Sequence, residues 1–372
     1  MFKRVGVLVD EVRQPRPEEF DDLVAHVNRV MREEVGNDPV YALDWSHVIS
    51  LDNLENIRVV RVDDQIVSSA AIFPHETRLG SVDLTIGGIN GVSTDVEYRR
   101  RGYASRVLEA CIDRMSELGC HVSLLSTGVP SWYRRLGWEY GGLIRAYRFD
   151  RGNRAFIPHM PSIDLRPADP GDFDELSRIH QDRRFGAVRS PERMLSLLQR
   201  RGHRTWVAGR LGEIGAYLCV RGRNIVEYGG SAALVLSMLS RLLDEWDDPS
   251  VSTSTQTPSE RRASDKPTVH ATLNAPMQAD PVTDALDAIG ILCSLDYLGM
   301  IRIESAERLA EAYMSGGAAS VHGDSVVFEG SEWMRKLSRT EAVKFVFGPE
   351  RPAGGDVGGL PVHFHEWPVD RV

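Results

Sequence analysis

Gly91-Val92-Ser93-Thr94-Asp95-Val96-Glu97-Tyr98-Arg99-Arg100-Arg101-Gly102-Tyr103-Ala104-Ser105 is the stretch whose reading decides the fold. An extended run from Val82 to Ser93 ends here, a turn carrying three consecutive arginines follows, and an amphipathic helical pattern begins that runs from Gly102 to Leu118. Gly119 closes that helix in the manner of a C-terminal glycine cap. The first N–H groups of a helix have no intrahelical partner and, with the helix dipole, can hold a phosphate. Gly102 lets the backbone come close to a ligand, Ala104 and Ser105 leave room, and Arg99, Arg100 and Arg101 add positive charge. A pyrophosphate-bearing ligand would be served by this arrangement. A basic helix start on a solvated face has the same composition. A nucleotide P-loop is excluded because no Gly-Lys-Ser/Thr follows, and a dinucleotide fingerprint because Gly-x-Gly-x-x-Gly is absent.

Working outward, helical periodicity covers Glu18 to Glu34. Ile57 to Val62 reads as a strand, Asp63-Asp64 as a turn and Gln65 to Phe73 as the return strand of a hairpin. Downstream, His121 to Ser126 is a short apolar strand. Pro130 to Leu136 is a short helix with proline in its first turn, and Trp138 to Phe149 is a further strand. Val5 to Val9 is predicted as an N-terminal strand.

In this setting the turn Arg99-x-x-Gly102-x-Ala104 resembles motif A of the GNAT superfamily of acyl-CoA-dependent N-acetyltransferases. So do the preceding Gly87-Gly-Ile-Asn-Gly-Val92 and the downstream Trp132-Tyr133-Arg134-Arg135-Leu136-Gly137-Trp138. Residues 57–149 carry the likeness. The resemblance implies an α/β (α+β) fold and acetyl-CoA as co-substrate. A splayed strand would present the backbone of Val92, Ser93 and Thr94 to the pantetheine arm. The pyrophosphate would lie over Arg99, Arg100, Arg101, Gly102, Tyr103, Ala104 and Ser105. It also implies Tyr133 as the general acid that protonates the leaving thiolate; a phenol with pKa about 10 can protonate a thiolate whose thiol titrates near 8.5. A backbone N–H near Val92 would polarise the thioester carbonyl.

A second motif pair extends the likeness. Arg16-Pro-Glu-Glu-Phe-Asp-Asp-Leu23 and Asp169-Pro-Gly-Asp-Phe-Asp-Glu-Leu176 each follow a short β-like run and open a helical pattern about one domain length apart. Beyond a proline-containing linker at 151–162, the second unit repeats the pattern: strands at Thr205 to Ala208, Ile214 to Val220 and Val269 to Leu273, helices at Ala232 to Glu245 and Val282 to Ile289. Glu227-Tyr-Gly-Gly-Ser231 stands where a motif A would start, with no arginine turn. Such a tandem resembles the enhanced-intracellular-survival (Eis) type. That resemblance implies a catalytic domain over 1–150, a degenerate second domain over 163–300 that binds no coenzyme A, and a sterol-carrier-like C-terminal region, here reduced to 301–372. It also implies a homo-oligomer, and the terminal carboxylate of Val372 as a candidate base. Asp83, Glu76 and a water chain are alternatives for the base. A helix is predicted from Ala306 to Met314, and the stretches 247–268 and 348–361 read as loops.

Bulk composition bounds the rest. The chain has 372 residues, 42% hydrophobic and 26% charged, enough for two or three cores. Lys plus Arg total 44 against Asp plus Glu 53, a net charge of −9. This balance excludes broad attraction to nucleic acid and mildly favours a cationic acceptor. The resemblance implies an amine acceptor, on an aminoglycoside-like polyamine, a small metabolite or a lysine side chain, and the acidic balance mildly favours the polycationic one. Four cysteines without a Cys-x-x-Cys pair, Cys219 and Cys293 in apolar contexts, point to free thiols in a reducing, cytoplasmic setting. No stretch reaches the roughly 18 apolar residues of a membrane span. His363 and His365 have no further ligand nearby, so no metal is expected. The alternative from another class is a non-catalytic acyl-CoA-binding or sensing protein, which would need the arginine turn but not Tyr133.

Overall fold

The computed structural model describes residues 11–150, 152–183, 185–247, 271–314, 317–349, 362, 365–368 and 370. The predicted strand Val5 to Val9, His363, Val372 and most of the two predicted loops lie outside the described residues.

The first half runs α1 (Phe20–Met31), α2 (Tyr41–Asp44), β1 (Ile57–Val62), β2 (Gln65–Leu79), β3 (Val82–Thr94), α3 (Tyr103–Glu117), β4 (Val122–Leu125), α4 (Pro130–Arg134) and β5 (Glu139–Phe149). The second runs β6 (Asp164–Pro167), α5 (Phe173–Gln181), β7 (Phe185–Ala187), α6 (Pro191–Leu198), β8 (His203–Arg210), β9 (Glu213–Arg221), β10 (Asn224–Gly230), α7 (Ala232–Asp247), β11 (Ala271–Ala275), α8 (Pro281–Ala288) and β12 (Cys293–Ile303). The chain then adds α9 (Ala306–Tyr313), β13 (Ala318–His322), β14 (Ser325–Glu329), β15 (Met334–Ser338) and α10 (Arg339–Phe347).

Strands β1 to β3 are apolar on both faces because helices cover both. Ile57, Val59, Ile66 and Ala71 share a core with Leu23 and Val27 of α1. Val60, Val62, Val67, Ala70 and Ile72 share another with Val107, Leu108, Cys111 and Met115 of α3. Each fully buried Leu, Ile or Val contributes about 1.5–3 kcal/mol by leaving water. Asp63 and Asp64 both have positive φ, 48° and 66°, which the tight turn between β1 and β2 requires.

The two halves repeat. The order β1-β2-β3-α3-β4-α4-β5 recurs as β8-β9-β10-α7-β11-α8-β12. The two look-alike helix starts are built alike: a 3-10 turn (Pro17–Glu19; Pro170–Asp172) precedes α1 and α5. Its last carboxylate accepts from a backbone N–H three residues back, Glu19 from Arg16 at 2.8 Å and Asp172 from Asp169 at 2.7 Å.

The halves are interlocked rather than placed side by side. The main sheet reads β1-β2-β3-β4-β12-β5-β11-β10-β9-β8-β6. Each half has given its last strand to the other: β12 lies between β4 and β5, and β5 lies between β12 and β11. The boundary expected at 300 therefore falls inside β12, whose residues Met300 to Ile303 pair with Val122 to Leu125 of the first half. The described residues of 301–372 share their core with the first half. Leu309 of α9, Phe328 of β14 and Val343 and Phe347 of α10 pack with Ile86, Val122, Leu124 and Ile144 of the first half. No helix among the described residues is long and apolar enough to cross a membrane. Cys111, Cys120 and Cys219 are buried free thiols, whereas Cys293 is only half-buried, at the start of an exchanged strand.

A fragment ending at Asp150 would lack β12 and leave the facing edges of β4 and β5 unpaired. It is expected to show no cooperative thermal transition by circular dichroism and to aggregate on gel filtration. A monomeric, cooperatively melting fragment would contradict the exchange.

Candidate active site

β3 departs from β2 by one extra residue. Ser69 pairs with Ser93 and Ala71 with Asn90, so Gly91 and Val92 together oppose Ala70. Gly91 takes φ +61°, a conformation only glycine adopts without strain. On its other side β3 pairs in parallel with β4 from Ile86 to Gly88, and β4 ends at Leu125, so Ile89 to Thr94 has no ladder partner there among the described strands. The bulge falls within the segment where the splay is expected.

Polar side chains reached from three elements pin the bulge. The Tyr41 hydroxyl donates to Asn90 Oδ1 (2.9 Å) and accepts from the Gly91 N–H (3.2 Å). Ser69 Oγ donates to the Gly91 carbonyl (3.2 Å) and Ser68 Oγ to the Ser93 carbonyl (2.8 Å). His26 Nε2 meets Ser93 Oγ at 2.9 Å. Arg29 holds Asp95 through two nitrogens (3.2 and 2.9 Å), and His26 Nδ1 lies 3.4 Å from the same carboxylate. Burial pushes the Asp95 carboxyl up, but His26 and Arg29 outweigh it and hold it below its usual range.

After β3 the chain makes the basic turn. Arg100 takes φ +62° and Gly102 φ +82°. Nothing crowds Gly102, so glycine is required there for its backbone angle rather than for a close contact with the protein. Gly102 is the N-cap of α3 and supplies no side-chain cap, so the N–H groups of the first turn have no side-chain acceptor. Arg99 donates to the Thr94 carbonyl (3.0 Å) and pairs with Glu34. Arg101 donates to the Glu97 carbonyl (3.0 Å) and lies over Tyr98. Arg100 is exposed, and its strained backbone aims a third guanidinium outward. Tyr103 is buried, while Ala104 and Ser105 are half-buried on the first turn. The second half has no such turn: Ser231 alone separates β10 from α7.

Tyr133 sits on α4, its ring buried edge-on to Trp132 (4.7 Å) and Trp138 (6.0 Å). Trp138 is sealed in the core, and Trp132 is half-buried beside it. Arg134 clamps α4 to Glu139 at the start of β5. Arg302 of the exchanged strand β12 donates to the Leu136 carbonyl at 2.9 Å. Burial alone pushes the Tyr133 phenol up to about 12, with no hydrogen bond contributing. The neighbouring Tyr133 phenol in turn adds to the rise of Tyr41, itself driven to about 12 mainly by burial.

The alternative bases do not reach this place. Asp83 lies at the far end of β3, roughly 26 Å of strand from Gly91, and is paired with Arg78. Glu76 is exposed on β2, opposite Thr85. The last described residues are docked: His365, Glu366, Trp367 and Asp370 are buried, and Glu366 contacts His75 (3.1 Å) and Thr77. His365 packs edge-on to Trp367 at 4.5 Å.

A bulged strand, followed by an uncapped helix start behind a basic turn, is the frame of the GNAT acyltransferase fold. Residues 11–141 match the family profile described as acetyltransferase (GNAT) domain. Among solved structures the chain resembles a GCN5-related N-acetyltransferase from Kribbella flavida, with 16% identity, 90% of this chain and 84% of that one covered, and a TM-score of 0.59. It resembles another GCN5-related N-acetyltransferase, from Anabaena variabilis ATCC 29413, at 16% identity, 89% and 85% coverage and a TM-score of 0.59. Eis1 from Mycobacterium abscessus shares 14% identity over 88% of this chain and 85% of that one, with a TM-score of 0.54. No curated protein sequence matches the chain.

Gly91→Ala would force a side chain into positive φ without meeting a severe clash, its nearest neighbour being Ile49 Cδ1 at 3.7 Å. The expected loss is about 1–2 kcal/mol, read as a lower urea midpoint at unchanged slope. An unaltered midpoint would show that the bulge is not held at that residue.

Proposed function

We propose that the first half is an acyl-CoA-dependent N-acyltransferase moving an acetyl group from acetyl-CoA to a primary amine, and that the second half is a degenerate copy that binds no coenzyme A. The observation that carries the reading is the Tyr133 phenol: its ring is held edge-on between Trp132 and Trp138, and its hydroxyl is neither hydrogen-bonded to a described residue nor among the oxygens sealed from solvent. A phenol held in place with its hydroxyl uncommitted can donate to an incoming group. In this reading Val92, Ser93 and Thr94 line the pantetheine arm. The first turn of α3, from Tyr103 to Ser105, together with Arg99, Arg100, Arg101 and Gly102, holds the pyrophosphate.

The amine nitrogen attacks the thioester carbonyl carbon, whose developing oxyanion is met by an N–H near Val92. The carbon–sulfur bond breaks, and the departing thiolate takes the Tyr133 proton. The attacking amine gives up its own proton to a base, for which Val372 is the proposed group. That assignment follows the family resemblance; the described tail residues dock on His75 and Thr77 of β2 and on Arg189. The acceptor is a primary amine on a small molecule or a lysine side chain; the net charge of −9 is the argument for a polyamine-like one.

Calorimetric titration with acetyl-CoA, followed by thiol-release assays on an amine panel, tests the reading. One equivalent bound per chain with thiol release supports it; absence of binding overturns it. Tyr133→Phe is expected to lower kcat by about 10²–10⁴-fold with acetyl-CoA affinity retained. Because the phenol stays protonated up to about pH 12, the wild-type kcat profile should show no alkaline fall from this acid below about pH 11. An unchanged kcat in the variant would remove Tyr133 from the chemistry. Removing Val372 should lower kcat at unchanged acetyl-CoA affinity; full activity after truncation would exclude it as the base.

A further inference from the structure

A wall of aromatic rings leads away from the bulge. Tyr41, whose hydroxyl holds the Gly91 N–H, lies 6.4 Å from Trp45; Trp45 lies 5.9 Å from His47, and His47 5.2 Å from Phe73. An arginine lies on each of the three larger rings: Arg32 over Tyr41 (5.4 Å), Arg200 over Trp45 (4.6 Å) and Arg193 over Phe73 (4.2 Å). Arg193 and Arg200 come from the second half, so both halves build the wall.

The carboxylates nearby are already engaged. Asp44 takes Arg32 at 2.7 Å and Arg201 at 3.5 Å. Asp370 and Glu227 enclose Arg189, and Glu227 also accepts from Tyr217. Glu366 takes His75 and Thr77. Arg193 and Arg200 are left with no ion pair among the described residues. Arg200 is buried, and its Nη1 and the nearby His47 Nε2 are sealed from solvent without hydrogen-bond partners. Burial, with Asp370 opposing it and the neighbouring guanidiniums adding to it, brings Arg193 down to about 10. Burial and Arg221 do the same to Arg200. Arg200 also borders a cavity of about 330 Å³ whose lining adds Arg221, His203, Asn224 and Asn274 and no carboxylate.

A buried guanidinium and a half-buried one beside it, neither ion-paired among the described residues, are costly unless an anion meets them. We infer that the amine acceptor carries a carboxylate or phosphate group, seated by Arg193 and Arg200 along the aromatic wall beyond Tyr41. This rests on the transferase reading for the word acceptor, though not for the anion site itself. The field at this place opposes the one the net charge of −9 suggests, so a polycation would be repelled where an amino acid or a phosphorylated amine would be held. Arg193 and Arg200 are positioning residues, with no part in the proton transfers.

The test has two arms. The first titrates inorganic phosphate and, separately, glutamate into wild-type protein, Arg193→Gln and Arg193→Gln/Arg200→Gln, with saturating coenzyme A present to occupy the arginine turn. Saturable binding that weakens at least tenfold in the variants is expected. Equal binding in all three proteins, or none in the wild type, overturns the inference. Arg193→Gln, at a half-buried position, serves if the double variant is misfolded by circular dichroism. The second arm compares thiol release with amino acids, phosphorylated amines and polyamines. Turnover of anionic amines is expected, with KM raised at least tenfold in the variants, kcat changed less and acetyl-CoA affinity unchanged. The relative response to carboxylate and phosphate acceptors separates the two anions. Turnover of polyamines alone would overturn the inference while leaving the transferase reading in place. Failure of acetyl-CoA to bind would remove the transferase reading, and the anion titration would still decide the site.

Discussion

The wedging of β12 between β4 and β5 is the constraint on which the rest of the molecule depends. β4 is four residues long and is paired in parallel with β3 over three of them. A strand so short has little to hold it from that side alone. Its antiparallel ladder with β12, Leu125 to Met300 through Val122 to Ile303, supplies the pairing on the other side. The same strand reaches into the site, since Arg302 holds the Leu136 carbonyl just after α4 and lies over Trp138. The site in the first half is thus held by a segment from the second.

The bulge at Gly91 and Val92 is held by a different kind of force. Three apolar strands would pair more regularly without it, so polar atoms have been brought into the core to fix the irregularity. Ser68, Ser69, His26 and Asn90 are all buried, and each has its hydrogen bond there. Inside a low-dielectric core a satisfied network of this type specifies one geometry, and a half-satisfied one would be worse than none. Tyr41 has a double role, capping the bulge with its hydroxyl and beginning the aromatic wall with its ring. The place where the thioester is proposed to lie and the place where the acceptor is proposed to lie therefore share one side chain.

Local signals were legible where a residue type has few alternatives. Ile57 to Val62, the Asp63-Asp64 turn and the glycine-bounded helix after Arg101 follow from period, turn chemistry and capping, and the structure has each of them. The arginine turn and Tyr133 were visible as a motif. The exchange of β5 and β12 was not: the strand Cys293–Ile303 is not among those read from the sequence, and its neighbours are set by chain connections that period cannot encode. The pinning residues left one trace that went unused: Ser68-Ser69 stands in the apolar run Ile66 to Ile72, and adjacent hydroxyls in a strand buried on both faces announce partners inside the core. Trp45 with His47, Phe73, and Arg193 with Arg200 belong to three separate stretches, and nothing short of the tertiary fold brings them together. Whole-chain charge does not report how charge is distributed at this place, where the described carboxylates are ion-paired and Arg193 and Arg200 are not.

The exchange also bears on how the chain is made. β5 is complete at Phe149, but its neighbour β12 begins at Cys293, about 150 residues later. At a synthesis rate of about 5–20 residues per second, roughly 7–30 seconds separate the two. For most of that interval the nascent first half holds three unpaired strand edges, one on β4 and both on β5. A ribosome-bound chain of this protein is therefore a client that must be shielded, and its folding is committed only when the far end of the second half leaves the exit tunnel.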